Sequence, residues 1–437
     1  MIFDHLWTTH ETEEIFGDGG RTNRWLGIID ALAHWQARLG LIPADAADEI
    51  SQRAELGVDL EAVAEETRRS GHSMLGLIRV LQRDLSDEAR EWVYYGATVQ
   101  DVTDTWTGMV ARDMTRIVER DLGRIEASLV ELARPHRDTI MLGRTHGQPA
   151  LPITFGFKAS VWIAEIRRHL QRVREARPRL AVGQLSGAVG TMSAWGAHGP
   201  ALQQMMMQYL GLLEPDTSWL TARDRVAELL GLLAMVTATL AKIGNEVYNL
   251  QRPEIGELCE APSEGVVGSI TMPQKRNPER SEHLVTLARL VRADAGLALE
   301  GMVGEHERDG AAWKTEWALL PRACGAAAVS LALAAELASG LRVDEARMRE
   351  NVHAQHGYVL AEPVMLALGA EIGPRRAHEL VHAAAARGLV EGQTLNNALA
   401  ADPEIARHLT TERIEELLRP EIALGSADEL VDRVLGA

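Results

Sequence analysis

Apolar residues recur at three- and four-residue spacing over most of this chain, and the two-residue alternation of a half-buried strand is hard to find. Over residues 24–41 the positions Trp25, Ile28, Ile29, Leu32, Trp35 and Leu39 fall on one helical face, with Gly40 and Pro43 as stop signals. Residues 104–134 contain neither proline nor an extended polar break, which predicts a helix far beyond the average of about 11 residues. Further long helices are predicted over 152–176, over 217–250, and over 281–302 with 313–341, the last two separated by a polar loop. Their Ala, Leu and Gly content lets long helices pack closely along their length. The expected fold is all-α, with a central bundle of long helices.

The interruptions are as informative. Segments 143–152, 183–200 and 252–278 are dense in Gly, Pro, Ser and Thr, and loops of that length inside a helical protein are usually functional. After Val343 the helices shorten, punctuated by Gly357, Pro363, Gly373-Pro374, Gly388 and Pro403. Three helical domains are therefore expected: 1–103, a long-helix domain 104–342 carrying a loop at 262–278, and 343–437. No internal repeat or low-complexity tract is found.

Composition narrows the function. The chain has 437 residues, 46% of them hydrophobic, enough for large buried cores. With 45 Lys and Arg against 62 Asp and Glu the net charge is −17, which leaves little basis for holding a phosphate backbone, so no nucleic-acid partner is expected. Two cysteines, Cys259 and Cys324, cannot build a disulfide framework or a Cys-based zinc site. The N-terminus lacks a basic-then-apolar signal pattern. The apolar run near 229–240 is too short to span a bilayer. A soluble, cytoplasmic protein without a membrane partner is expected.

Four polar islands carry candidate chemistry. In 265–278 glycines and prolines bracket a hydroxyl, two cations and an amide. A Gly-Ser pair frees backbone N–H groups to face an anion. Lys275 and Asn277 lie two apart, so an extended backbone points both the same way, although a plain surface loop would read similarly. The segment Gly143-Arg-Thr-His-Gly-Gln-Pro149 places His146 at what reads as the end of a helix, and histidine suits proton transfer near neutral pH. Residues 94–104 read as a helix start that either holds an anion or is an ordinary N-cap. His72, in Gly71-His72-Ser73, is either structural or catalytic. The islands are roughly 25, 45 and 120 residues apart, so one cluster needs the ends of different helices or different subunits. His353 and His356 lie three apart on an expected helix, a spacing that could share a metal, but no third ligand is in view.

Together these segments resemble the fumarase/aspartase superfamily, whose signature loop has the form Gly-Ser-Ser-x-Met-Pro-x-Lys-x-Asn-Pro. Here it reads Gly268-Ser269-Ile270-Thr271-Met272-Pro273-Gln274-Lys275-Arg276-Asn277-Pro278, with Ile270 in place of the second serine. The Thr145-His146 and Ala97-Thr98-x-x-Asp101 segments match two further family regions in the right order. The resemblance implies a homotetramer with a core of long helices and active sites shared between three subunits. It also implies removal of a proton next to a carboxylate, followed by loss of a group from the neighbouring carbon through a dianionic aci-carboxylate. By resemblance Ser269 is the base, Lys275 and Asn277 stabilise the charge, and His146 protonates the leaving group or orients the side chain that does. His72 matches a second catalytic histidine of adenylosuccinate lyases. Thr98, Thr145 and Arg308 match substrate-binding positions, with Met272 and Gln100 beside them. No metal or organic cofactor is expected.

The branch within the superfamily is mixed. His72 and His146 favour an adenylosuccinate-lyase-like eliminator. Trp313 and Trp317, however, stand where such lyases carry the serine and arginine that grip the nucleotide phosphate. Trp219, the Gly310 to Trp317 stretch and the long C-terminal region resemble 3-carboxy-cis,cis-muconate cycloisomerases. The resemblance thus implies a lyase releasing fumarate from a small substituted succinate by C–N cleavage, with an amine or nitrite leaving. The cycloisomerase is the alternative and adenylosuccinate cleavage comes third. A non-catalytic crystallin-like protein is disfavoured by the intact Ser269, His146, Lys275 and Asn277.

Overall fold

A computed structural model describes residues 2–72, 74–262, 271–272 and 274–436, and helices dominate it. The helices that position the site are α1 (Asp18–Arg38), α2 (Leu60–Ser70), α3 (Leu75–Gln82), α4 (Val99–Ala133), α5 (Phe155–Leu180), α6 (Asp224–Leu250), α7 (Glu279–Glu300), α8 (Gly310–Gly340) and α9 (Glu345–His353). The long segments predicted from periodicity are helical over most of their length, but residues 152–154 lie in a strand and the helix expected from 217 begins at Asp224. At 1.5 Å rise per residue α4 alone is about 50 Å long.

Two compact units are present. The first comprises Met1–Leu122, His169–Leu240 and Leu284–Leu333, the second Gly123–Arg168, Ala241–His283 and Ala334–Ala437. In the first, α1 buries the Leu26, Ile28, Ile29 and Leu32 stripe, and α4 contributes buried Val110, Met114 and Val118. Asp59 caps α2 by accepting from the Glu61 and Ala62 N–H groups, and Gly71 ends it in the left-handed conformation at φ 63°.

The second unit holds a feature the sequence pattern hides. Strands β1 (Ile140–Thr145) and β2 (Gln148–Thr154) form an antiparallel hairpin in the register Ile140↔Thr154 and Thr145↔Gln148. His146 (φ 52°) and Gly147 (φ 76°) form its two-residue turn, both in the left-handed region that a hairpin of this twist demands. The expectation that His146 ends a helix is corrected: it caps a hairpin. Two short strands, β3 (Leu258–Cys259) and β4 (Arg342–Val343), also pair antiparallel. Toward the C-terminus, Val364, Leu368, Leu395, Leu399, Ile405 and Ile414 share a local apolar core.

Two other expectations are corrected. His353 ends α9, whereas His356 lies beyond it in the left-handed region at φ 50°, so the helical register that would pair them is broken. Helices α6 and α8 are each long and apolar enough to cross a membrane, contrary to the reading of the 229–240 run alone, and 67% of each apolar window is buried inside the protein.

Candidate active site

In the first unit the site is built on the start of α4. Asp101, nearly fully buried, accepts from the Thr98 N–H at 2.8 Å, closing the first turn. The same carboxylate accepts from the Ser186 N–H at 2.7 Å and the Gly187 N–H at 3.1 Å, holding the 183–200 loop against the helix start. Burial pushes the Asp101 carboxyl up to about 6, the three backbone donors oppose the shift, and neighbouring Asp104 adds to it. Gly96, in the preceding turn at φ 75°, has no room for a side chain: a Cβ there would lie 2.6 Å from Trp195 Nε1.

Arg308 reaches this turn from the residues just before α8. Its Nη2 donates to Thr98 Oγ1 at 2.8 Å and to the Ala188 carbonyl at 3.0 Å, while its buried Nε–H has no acceptor among the described residues. The guanidinium thus keeps one donor of its fork without a partner among the described residues, beside a threonine hydroxyl. Tyr94 is a residue that the sequence reading passed over. It holds the left-handed region at φ 63°, its buried hydroxyl has no partner among the described residues, and burial with the nearby Asp101 carboxylate pushes that hydroxyl well above its ordinary range. Arg308 works in the opposite direction. In the sequence Tyr94 is one of two adjacent tyrosines before a glycine, and neither the strain nor the unspent hydroxyl is visible there.

Gln100 is the exception among the expected ligand-facing residues. It is fully buried, its Nε2 donating to Asp104 at 3.2 Å and to the Leu220 carbonyl at 3.0 Å, so it packs behind the helix start and presents nothing to a ligand from solvent. It touches a buried charge network in which Arg223 bonds Asp104 at 2.8 Å and Glu316 at 2.8 Å, with the Trp219 ring 5.0 Å from the guanidinium carbon. Burial pushes both carboxyls up, and Arg223 counters it.

His72 is exposed between α2 and α3. Its Nδ1 accepts from the Met74 N–H at 3.3 Å and the Leu75 N–H at 3.1 Å, capping α3. That arrangement leaves the ring proton on Nε2, pointing a donor away from the cap.

In the second unit, Thr145 and His146 are exposed at the hairpin tip. The tip is anchored one residue earlier, where Arg144 grips the fully buried Glu257 carboxylate through two bonds of 2.8 and 2.6 Å, and Asn351 donates to the same carboxylate at 2.8 Å. Ser269 lies outside the described residues. Met272 and Lys275 are exposed, the Lys275 N–H donates to the Met272 carbonyl at 3.0 Å, and Asn277 Nδ2 donates to Glu279 at 3.2 Å. Thr98 and Arg308 are thus in direct contact within the first unit. Among the described residues no group of three or more His, Cys, Asp or Glu is placed to hold a metal.

Two family models match: one described as lyase over residues 7–292, and one described as adenylosuccinate lyase C-terminus over residues 357–434. An N-acetyl-S-(2-succino)cysteine lyase of Dickeya dadantii (strain 3937) is 39% identical over the whole of this chain and 96% of its own. A 3-carboxy-cis,cis-muconate cycloisomerase of Pseudomonas aeruginosa is 37% identical with the same coverage. The crystal structure of a fumarate lyase from Mesorhizobium sp. BNC1 superposes with a TM-score of 0.91 at 35% identity, covering 98% of both chains. The helical fold, the ordered motifs and these full-length similarities converge on one conclusion: the chain belongs to the lyase family of the fumarase/aspartase superfamily and is an enzyme of that superfamily.

Proposed function

We propose that the protein eliminates a thiol from an S-(2-succinyl) derivative of an N-acylated cysteine, releasing fumarate. The observation that carries this reading is the unspent Nε–H of Arg308 beside the Thr98 hydroxyl, a ready cradle for one carboxylate of a succinyl group. The identity to N-acetyl-S-(2-succino)cysteine lyases supports the choice of leaving group. The leaving atom in this proposal is sulfur, in place of the nitrogen expected from the sequence.

In the proposed reaction Ser269, as alkoxide, takes the proton from the carbon next to the second carboxylate. Lys275, Asn277 and the loop N–H groups hold the resulting aci-carboxylate dianion, which is where fixed donors contribute most. Collapse of the dianion breaks the C–S bond, forms the C=C bond of fumarate and sends the electron pair to sulfur. His146, as imidazolium, delivers a proton to the thiolate. His72 is assigned a different part: its Nδ1 is committed to the α3 cap, so it serves as a neutral Nε2–H donor to the substrate. We infer also that Thr145 binds substrate, that Met272 lines the loop, and that a homotetramer completes the site with residues of three subunits. Light scattering of the purified protein tests the assembly.

The cycloisomerase reading is favoured by Trp219, Trp313 and Trp317. Offering N-acetyl-S-(2-succino)cysteine and 3-carboxy-cis,cis-muconate to one enzyme stock separates the two. Fumarate appearing from the first supports the elimination, and its absence with consumption of the second replaces it.

A further inference from the structure

Away from Thr98 and Arg308, the first unit gathers three arginines around one carboxylate. Glu66, near the end of α2, has a side chain only 10% exposed. Arg69 Nη2, one turn further along α2, donates to its two oxygens at 3.0 and 2.9 Å. From the neighbouring helix α3 and the residue just after it, Arg79 Nη1 stands 3.5 Å from the same carboxylate and Arg83 Nη2 donates to it at 2.9 Å. The two helices approach this closely because residue 76 is a glycine: a Cβ there would lie 2.8 Å from the Thr67 nitrogen and 2.9 Å from the Val63 carbonyl oxygen.

Three guanidiniums share one negative charge, which leaves an excess of two positive charges at one place on a chain whose net charge is −17. The nearby acids do not cancel it. Asp84 is bonded to Arg53 at 2.7 Å, and Asp87 to Arg90 at 3.1 Å. Glu65 is exposed and forms no ion pair with the three among the described residues, and one step along a helix turns it about 100° away from Glu66. Arg68 adds another exposed cation on the same turn of α2.

The cluster is open on its outer side. Each arginine meets Glu66 through a single nitrogen, and the Arg69, Arg79 and Arg83 side chains are 70%, 44% and 50% exposed. Glu66 therefore lies beneath the guanidiniums and solvent lies above them. Like charges held together repel, and an arriving anion relieves that repulsion. A phosphate group brings close to two negative charges at neutral pH and three acceptor oxygens, one for each guanidinium fork. A single carboxylate brings half the charge and two oxygens in one plane, so it matches the excess less well.

We propose that Arg69, Arg79 and Arg83 form a binding site for a phosphate group, as the free ion or as a monoester, seated above Glu66 and tying α2 to α3. The connection between those helices carries His72, so the bound phosphate clamps the segment whose imidazole caps α3. This site is separate from the lyase chemistry and stands whether or not that reading holds.

The test is calorimetric titration of the full chain with inorganic phosphate at low ionic strength and about pH 8, above the second phosphate pKa of about 6, for wild type, Arg79→Gln and Glu66→Gln. The expected result is binding by wild type, weakened at least about tenfold in Arg79→Gln and tightened in Glu66→Gln, where the competing negative charge is gone. Arg79 is exposed and makes the longest of the three contacts, so its replacement decides the matter even where Glu66→Gln fails to fold. No binding by wild type at ~10 mM phosphate overturns the site. The same holds for sodium chloride of equal ionic strength giving the same signal, for unchanged affinity in Arg79→Gln, or for unchanged affinity in a folded Glu66→Gln. Glycerol 3-phosphate titrated alongside identifies the source: binding tighter than that of inorganic phosphate assigns the site to a monoester, and weaker binding assigns it to the free ion.

Discussion

Arg308 Nη2 lies 2.8 Å from Thr98 Oγ1, while its Nε–H, buried in the same side chain, has no acceptor among the described residues. The contact fixes the guanidinium plane, and the proposed function gives its Nε edge to a substrate carboxylate. Lysine at this position keeps the charge and loses the fork. Arg308→Lys is therefore expected to lower kcat/KM about 10- to 100-fold, the equivalent of ~1.5–3 kcal/mol for a hydrogen bond to a charged group. Steady-state kinetics check it, and an unchanged kcat/KM removes Arg308 from the binding site.

Asp101 links pH to the geometry of that site. Its carboxyl is pushed up to about 6, so on acidification it takes up a proton near that pH and ceases to be a charged acceptor for Ser186, Gly187 and Thr98. Activity is expected to fall as pH drops through about 6, with the loss reversed on return. In Asp101→Asn this acid limb should disappear at a uniformly lower activity. A limb that persists unchanged in the variant assigns it to another group. Stability runs the opposite way for this residue. A folded value above the unfolded one means that its contribution is greatest below the unfolded value and declines as pH rises toward about 6.

The Arg223 network is a demand of the fold. Arg223, Asp104 and Glu316 have side chains only 2%, 1% and 5% exposed, and removing the cation leaves two carboxylates facing each other without water. Arg223→Met is expected to cost ~3–5 kcal/mol, the usual penalty for breaking a buried ion pair from one side. Urea denaturation at neutral pH measures it, and a loss below about 1 kcal/mol contradicts the network's role.

The roles assigned to the two histidines separate by leaving group. His146→Asn is expected to slow release of a poor leaving group, such as an alkylamine, far more than release of a thiol, because a thiolate departs with less need of a proton. His72→Asn should reduce both alike. Equal losses in His146→Asn would assign His146 a positioning role.

Glu257 is expected to act through the hairpin. Glu257→Gln weakens the two-bond grip of Arg144, one residue from Thr145. Turnover should fall several-fold while the melting temperature drops by only a few degrees. A large fall in melting temperature with unchanged specific activity of the folded fraction would make the pair structural alone.

The long helices were legible because their apolar stripes are long and unbroken, and α4 starts within a few residues of the turn expected from the Thr98 to Asp101 spacing. The hairpin was not legible: Pro149 and Pro152 in β2 interrupt the alternation that marks a strand, and the signal for its turn is the single pair His146-Gly147. Arg308 was found through the superfamily resemblance, since a lone arginine in a polar loop announces nothing. The arginine cluster around Glu66, the Arg223 network and the Tyr94 hydroxyl depend on which helix faces meet, and periodicity shows that a face is apolar without naming its neighbour.

The Thr98 to Arg308 bond closes a span of 210 residues. Loop-closure entropy rises with span, and contacts this distant form only after the intervening helices have packed. The hairpin that carries His146 needs only its own residues and can form in microseconds. A refolding chain is thus expected to regain its helical circular dichroism and its hairpin well before the Thr98 to Arg308 bond closes. During synthesis the α4 side of this bond leaves the ribosome long before Arg308, so the contact waits on a residue that most of the chain must precede.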